Sequence, residues 1–304
     1  MANIYCKNIL KKVEASLGKV TRIGSGYTLY YIPSVDIILY LRYSRIFASK
    51  NISKAFYGLR QADIALMQGK KSFLCLITDD ETKNLFIPFQ QFESYFLEIK
   101  PSNDGQYKTL SFFKPTGKEI YFAGIGKFNA ESYTNLDNIL NISKTKISAP
   151  NLTHSQIQSL IGSIGIKKGY YIWFPDSDKS NIDSSIVDYS KVIDNLPTFS
   201  KEIDHIISEI DVIWLDNNKP ISFYEVEHST PIYSGLLRFN DVFLTIAGVN
   251  NFNIIADNER EGKFSREINR PTFKKSKLID KVTFLNYENV YTWYHNLTGN
   301  LYGI

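Results

Sequence analysis

Asp211, Glu225 and Glu227 are the side chains whose types and spacing point to chemistry. Asp211 opens the apolar run Val212-Ile213-Trp214-Leu215, and Glu225 and Glu227 close the run Ile221-Ser222-Phe223-Tyr224-Glu225-Val226-Glu227. Both runs are rich in β-branched and aromatic residues, which predicts two strands. The polar residues 216–220 between them are few enough to make the pair an antiparallel hairpin. That hairpin sets the start of the first strand beside the end of the second. Residues two apart on a strand share a face, so Glu225 and Glu227 point the same way, toward the level of Asp211. Three carboxylates at one spot repel one another unless they hold a cation. Oxygen ligands select Mg²⁺ or Mn²⁺. An ion of that kind polarises a phosphate and activates a bound water, which is the chemistry of phosphodiester hydrolysis. The plainer reading is a surface hairpin with scattered acids. Against it stand the apolar strands on both sides and the second acid in phase.

Other elements must position this hairpin. Thr153 reads as a helix N-cap, with Gln156 at the capping-box position. Ile157, Leu160, Ile161 and Ile164 form one stripe, and Gly165 is the expected stop. Residues 170–174 read as a strand, and Pro175-Asp176-Ser177-Asp178 as a polar loop. Residues 203–207 are ambiguous. After the hairpin come a helix over 234–247, a strand over 253–256, a helix over 263–269 ended by Pro271, a strand over 282–285 and a helix over 288–297. This alternation predicts an α/β fold, a mixed sheet flanked by helices. The first half reads as a second mixed α/β domain. Strands fall at 27–41 (broken at Pro33), 72–78, 84–88, 107–113 and 119–123, and helices at 61–68 and 90–99. An Asn/Ser/Thr-rich stretch with Pro150 places the boundary near 148, giving domains 1–148 and 149–304.

The charge follows the same division. The whole chain carries +4, but residues 1–148 hold 20 Lys/Arg against 12 Asp/Glu, and residues 149–304 hold 15 against 19. A basic half suits a polyanion and an acidic half suits a divalent ion, although drift in surface charge gives such a split too. Only Cys6 and Cys75 are present, which excludes a disulfide framework and a thiolate zinc site. The apolar runs are too short to span a bilayer, and the N-terminus lacks the apolar core of a secretory signal. The cytoplasm is the expected compartment. Gly24-Ser25-Gly26 reads as a turn, because no Lys-Ser/Thr follows at phosphate-loop spacing. Trp173 and Trp214 alternate with apolar strand neighbours and read as core.

The Asp…Glu-X-Glu arrangement resembles the PD-(D/E)XK nuclease superfamily, which includes many restriction endonucleases. The family pattern is an Asp opening one strand and (Asp/Glu)-X-Lys ending its partner, preceded by a helix and a strand. Asp211 stands at the first position and Glu225 at the second. Glu227 stands where the family usually has Lys, a replacement found in some restriction enzymes. Ile210 replaces the signature Pro, and Pro175-Asp176 reproduces the letters on the wrong side of the intervening segment. The resemblance extends to His154-Ser155-Gln156-Ile157-Gln158 and Gly169-Tyr170-Tyr171-Ile172-Trp173. It continues through the block from Glu225 to Arg238 and the segment from Glu259 to Phe273, so that it spans most of residues 154–275.

The resemblance implies a type II restriction endonuclease. Asp211, Glu225 and the Val226 carbonyl would hold Mg²⁺, with Mn²⁺ as the alternative ion. Asp211, Glu225 and Glu227 would be catalytic, with Glu227 orienting water or binding a second ion. Ser229, Thr230, Tyr233, Arg238, Arg266 and Arg270 suit phosphate oxygens. Arg238 also suits the role of the missing Lys, against pairing with Asp241 on its own helix. His154 reads as a cap-region side chain or one that touches the site, and His228 as structural or facing DNA. In the basic half, Arg42, Arg45, Lys54 and Arg60 lie among Tyr40, Tyr43, Phe47, Phe56 and Tyr57, a mixture suited to duplex DNA. Cutting both strands implies a homodimer, and a separate cognate DNA methyltransferase is a candidate partner. Two alternatives stand beside this reading: a structure-specific repair or junction nuclease, and a binding module whose catalytic core has decayed.

Overall fold

The computed structural model describes residues 3–24, 26–49, 51–93, 95–140, 149–229 and 231–298. The chain divides into two compact units, Met1–Thr145 and Lys146–Ile304.

The first unit contains α1 (Ile4–Leu17), β1 (Thr21–Ile23), β2 (Leu29–Ile32), β3 (Ile37–Tyr43), β4 (Phe47–Ser49), β5 (Ile52–Arg60) and α2 (Gln61–Met67). These are followed by β6 (Lys71–Ile77), β7 (Leu85–Pro88), α3 (Tyr95–Glu98), β8 (Gln106–Lys114), β9 (Gly117–Phe122), β10 (Gly126–Asn129) and α4 (Asp137–Leu140). They form two five-stranded sheets, ordered β1-β2-β3-β6-β7 and β10-β9-β8-β5-β4. The break at Pro33 is the turn between antiparallel β2 and β3. The helix expected over 90–99 is reduced to α3, after a single 3-10 turn. Phe89, Phe92 and Phe96 sink into the core around Tyr107 and Phe122. Helix α1 begins at Asn3, whose side chain accepts from Tyr5 N, and buries Cys6, Ile9 and Val13.

The second unit contains α5 (His154–Lys167), β11 (Tyr171–Trp173), α6 (Asp176–Lys179), α7 (Lys201–Ile207), β12 (Val212–Asp216) and β13 (Lys219–Val226). It continues with α8 (Ile232–Thr245), β14 (Phe252–Ala256), α9 (Glu261–Ile268), α10 (Pro271–Ser276), β15 (Val282–Asn286) and α11 (Tyr287–Thr298). Its single five-stranded sheet has the order β11-β12-β13-β14-β15. The pairs β11–β12 and β12–β13 are antiparallel, while β13–β14 and β14–β15 are parallel. Both faces are covered. Val212, Trp214, Tyr224 and Val226 pack with Ile157, Ile161 and Ile164 of α5 and Trp293 of α11. Ile213, Leu215 and Phe223 pack with Leu236, Phe239 and Val242 of α8 and Ile203 and Ile207 of α7. The expected α/β architecture is therefore present, with apolar residues of β12 alternating between two cores as the period of two requires.

Local chemistry explains the termini. Thr153 Oγ1 accepts from Gln156 N, and Gln156 Oε1 accepts from Thr153 N, closing the capping box that starts α5. The helix runs past Gly165 to Lys167. Gly165 instead lets α5 approach the sheet, since a Cβ there would meet Ile172 Cδ1 at 2.5 Å and Trp214 Nε1 at 2.6 Å. The hairpin turn is tighter than expected. Only Asn217 and Asn218 separate the strands, Asn217 takes φ 53°, and Pro220 is already part of β13. Pro271 ends α9 and opens α10 at its N-terminal position, where a missing N–H costs nothing.

Candidate active site

The site is assembled at one end of the β12–β13 hairpin. Val212 pairs with Tyr224, which carries Asp211 to the level of Glu225. Asp211 Oδ2 accepts a 2.6 Å hydrogen bond from Val226 N, so the main chain of one strand orients the carboxylate of the other. The Val226 carbonyl accepts from His228 N at 3.2 Å.

Glu225 and Glu227 are 1% and 2% exposed and lie under α8. Gly235 makes room for them: a Cβ there would stand 2.6 Å from Glu227 Oε1 and 3.3 Å from Glu225 Cβ and Cγ. Arg238, one turn further along α8, grips Glu225 with both ends of its guanidinium. Nε donates to Oε1 at 2.7 Å and Nη2 to Oε2 at 2.8 Å. Burial raises the pKa of the Glu225 carboxyl, to about 8, against the pull of Arg238 and with the charges of Asp211 and Glu227 adding to the rise. The two short contacts fit the ionised pair, in which the Glu225 carboxylate holds Arg238 more firmly protonated. Arg238 therefore pairs with Glu225 and not with Asp241. Arg260 Nη1 donates to the Glu227 carbonyl.

Asp211 turns to a different set of neighbours. His154, the first residue of α5, places Nε2 3.5 Å from Asp211 Oδ1. This contact, opposed by burial, raises the His154 pKa, and the charges of Asp178 and Glu227 raise it further. Asp178 lies in α6, directly after β11. One ligand atom from each of His154, Asp178 and Asp211 falls within 4.8 Å of the others. Gln158, one turn after His154, donates from Nε2 to Asp178 Oδ2 at 2.7 Å and to the Asp211 carbonyl at 3.5 Å. Two carboxylates and an imidazole at one sheet edge fit a divalent cation. Glu225 and Glu227 are not part of this three-residue cluster, and both Glu225 oxygens accept from Arg238.

Asp178 falls in a stretch whose composition predicts a polar loop. What brings it in is strand pairing: Trp173 lies opposite Ile213, so the residues just after β11 emerge beside the start of β12. No local pattern encodes that adjacency.

Ser229, Arg266 and His228 are exposed, and His228 Nδ1 lies 2.9 Å from the Tyr287 hydroxyl. Thr230 lies outside the described residues. Arg270 covers the Tyr233 ring at 4.1 Å and donates to Glu267 at 3.0 Å. In the first unit, Arg45 is exposed and Arg42 half-buried. Lys54 Nζ stands 5.3 Å from the centre of the Phe56 ring. Arg60 is committed internally, donating to Asp63 at 2.8 Å and to Thr28 at 2.7 Å. Trp173 and Trp214 are core residues, as expected. No helix among the described residues is long and apolar enough to cross a membrane.

Residues 138–300, just over half of the chain, match the model of the family described as type II restriction enzyme NmeDI C-terminal domain. The chain belongs to that family and is restriction-enzyme-like, and membership implies an endonuclease with DNA as its substrate. No curated protein and no solved structure matches the chain.

Proposed function

We propose that this protein is a sequence-specific type II restriction endonuclease of the PD-(D/E)XK kind, hydrolysing phosphodiester bonds of double-stranded DNA with Mg²⁺. The observation that supports it most is the Asp211 carboxylate, oriented by Val226 N at the mouth of the β12–β13 hairpin in a chain of this family. Asp211, Glu225 and the Val226 carbonyl would hold Mg²⁺, with Mn²⁺ able to replace it. Such an ion supplies polarisation of the phosphate and a water of lowered pKa. Glu227, buried beside them, orients the water. Arg238 supplies positive charge to the phosphate oxygens when its grip on Glu225 is exchanged for substrate. The basic first domain, 1–148, reads the duplex through Arg42, Arg45 and Lys54. The second, 149–304, cuts it, with Ser229, Thr230, Tyr233, Arg266 and Arg270 on the backbone. Arg60, whose guanidinium donates to Asp63 and Thr28, would first position the loop and contact DNA only from its exposed edge. We propose a cytoplasmic homodimer, with a separate methyltransferase protecting host DNA.

Digestion of plasmid DNA with Mg²⁺ tests the reading. Discrete fragments with defined ends are expected, and Asp211→Ala and Glu225→Ala should each abolish them. Uncut plasmid beside cleaved four-way junctions would replace this reading with a junction nuclease. Binding without cleavage under Mg²⁺ and Mn²⁺ would replace it with a binding module.

A further inference from the structure

We infer that His154, Asp178 and Asp211 form a second cation site of mixed nitrogen and oxygen ligands, which takes a divalent transition ion of the Mn²⁺ class in preference to Mg²⁺.

The three ligand atoms come from three elements: the first residue of α5, the short helix α6 and the residue before β12. They lie within 4.8 Å of one another. The 3.5 Å separation of His154 Nε2 and Asp211 Oδ1 is long for a hydrogen bond. It suits two ligands of one ion, since bonds of about 2.1 Å place ligands roughly 3.0 Å apart in cis and 4.2 Å in trans. Each carboxylate is already aimed by its other contacts. Asp211 Oδ2 is fixed by Val226 N at 2.6 Å, which leaves Oδ1 toward His154. Asp178 accepts from Gln158 Nε2 at 2.7 Å and from Ser177 Oγ at 3.1 Å. Outer partners of this kind are what orient metal ligands.

Gln158 supplies an independent indication. It is fully buried, and its Oε1 accepts no hydrogen bond among the described residues. The amide nitrogen on the same carbon is bonded to Asp178 and reaches the Asp211 carbonyl, which holds the bare oxygen on a side chain that touches two members of the cluster. A buried amide oxygen left without a partner is costly. Beside a cation it becomes a ligand or an acceptor for a water that the ion carries. The donor chemistry selects the ion. Mg²⁺ favours an all-oxygen octahedron and dehydrates reluctantly, whereas imidazole suits first-row transition ions; Mn²⁺ is the weakest binder of that series and still takes a nitrogen ligand more readily than Mg²⁺ does. The site shares Asp211 with the Asp211–Glu225–Val226 set and differs from it in every other ligand. Its use in cleavage rests on the nuclease reading; its binding of metal does not.

The test is titration of the full-length, metal-free protein with MnCl₂, followed by electron paramagnetic resonance and by calorimetry, with MgCl₂ as competitor. Mn²⁺ should bind about tenfold or more tightly than Mg²⁺. His154→Ala and Asp178→Asn should each weaken Mn²⁺ by about tenfold or more, with circular dichroism unchanged. Glu225→Gln should remove at most the Asp211–Glu225–Val226 site and leave the affinity of the His154-dependent Mn²⁺ site within about threefold, since Glu225 is outside that ligand set. His154→Glu, which makes the set all-oxygen, should narrow the preference for Mn²⁺ over Mg²⁺. Mn²⁺ binding that ignores His154 and Asp178 but is lost in Glu225→Gln overturns the inference, as does the absence of Mn²⁺ binding. Cleavage of DNA by a protein whose Mn²⁺ binding ignores His154 would sink this inference alone. Histidine-dependent Mn²⁺ binding without cleavage of any DNA would support the site and sink the nuclease reading.

Discussion

Glu225 is 1% exposed and lies among negative neighbours, so its charge depends on the guanidinium of Arg238. Removing one partner of a buried pair leaves the other uncompensated. Arg238→Met should therefore destabilise the second unit by about 3–5 kcal/mol in urea unfolding, and Arg238→Met combined with Glu225→Gln should recover part of that loss. His154 gives a second prediction at this scale. In the metal-free protein its pKa is raised, first by the Asp211 contact. Asp211→Asn should lower it, as read from the imidazole resonances in an NMR titration. The sign for stability follows from linkage. A raised folded pKa stabilises fully below the unfolded value near 6.5, and the gain is lost as pH rises through the folded value. An unchanged His154 titration in Asp211→Asn would show that the contact is not formed in solution.

At the scale of elements, α5 is held by its cap and by its closeness to the sheet. The reciprocal bonds of Thr153 and Gln156 satisfy two N–H groups at the helix start, immediately before His154. Thr153→Ala should cost about 1 kcal/mol and loosen His154. Gly162 and Gly165 face the sheet with no room for a methyl group: added Cβ atoms would lie 2.5 Å from Phe174 Cζ and from Ile172 Cδ1. Gly165→Ala should therefore destabilise by about 1–3 kcal/mol, although alanine is the better helix former, and thermal unfolding distinguishes the two effects.

For the whole molecule, the division of charge between the halves makes salt the informative variable. Arg45→Ala and Lys54→Ala should weaken duplex binding similarly on all sequences and reduce the log–log salt slope by about 1 each. Arg60→Ala should instead lower stability with little change in that slope, because its partners are Asp63 and Thr28. Equal slopes for all three variants would remove the first unit from the DNA-reading role. Sedimentation at micromolar concentration tests the expected dimer.

Local pattern was sufficient for the parts of this fold that local energetics dictate. Thr153 and Gln156 announce the start of α5, alternation announces β12 and β13, and the short turn places Asp211 beside Val226. Helix α1 is marked only by Cys6, Ile9 and Val13, three and four apart, the helical spacing, which is a short signal in a polar segment. Nor does the local pattern announce β5, whose solvent face carries Ile52 and Phe56, which blur the alternation. The partners of the charged residues were not legible. Arg238 has Asp241 within reach on its own helix and takes Glu225 from the sheet. Arg60 is turned inward by Asp63 and Thr28. Asp178 joins His154 and Asp211 only because β11 pairs with β12. The amino-acid sequence by itself determined which backbone segments are helix and strand and where the acids stand along them, because hydrogen-bond periodicity and capping act over a few residues. Only the tertiary structure decided which acid meets which cation, because those contacts join elements separated in the chain and depend on how the helices dock on each face of the sheet.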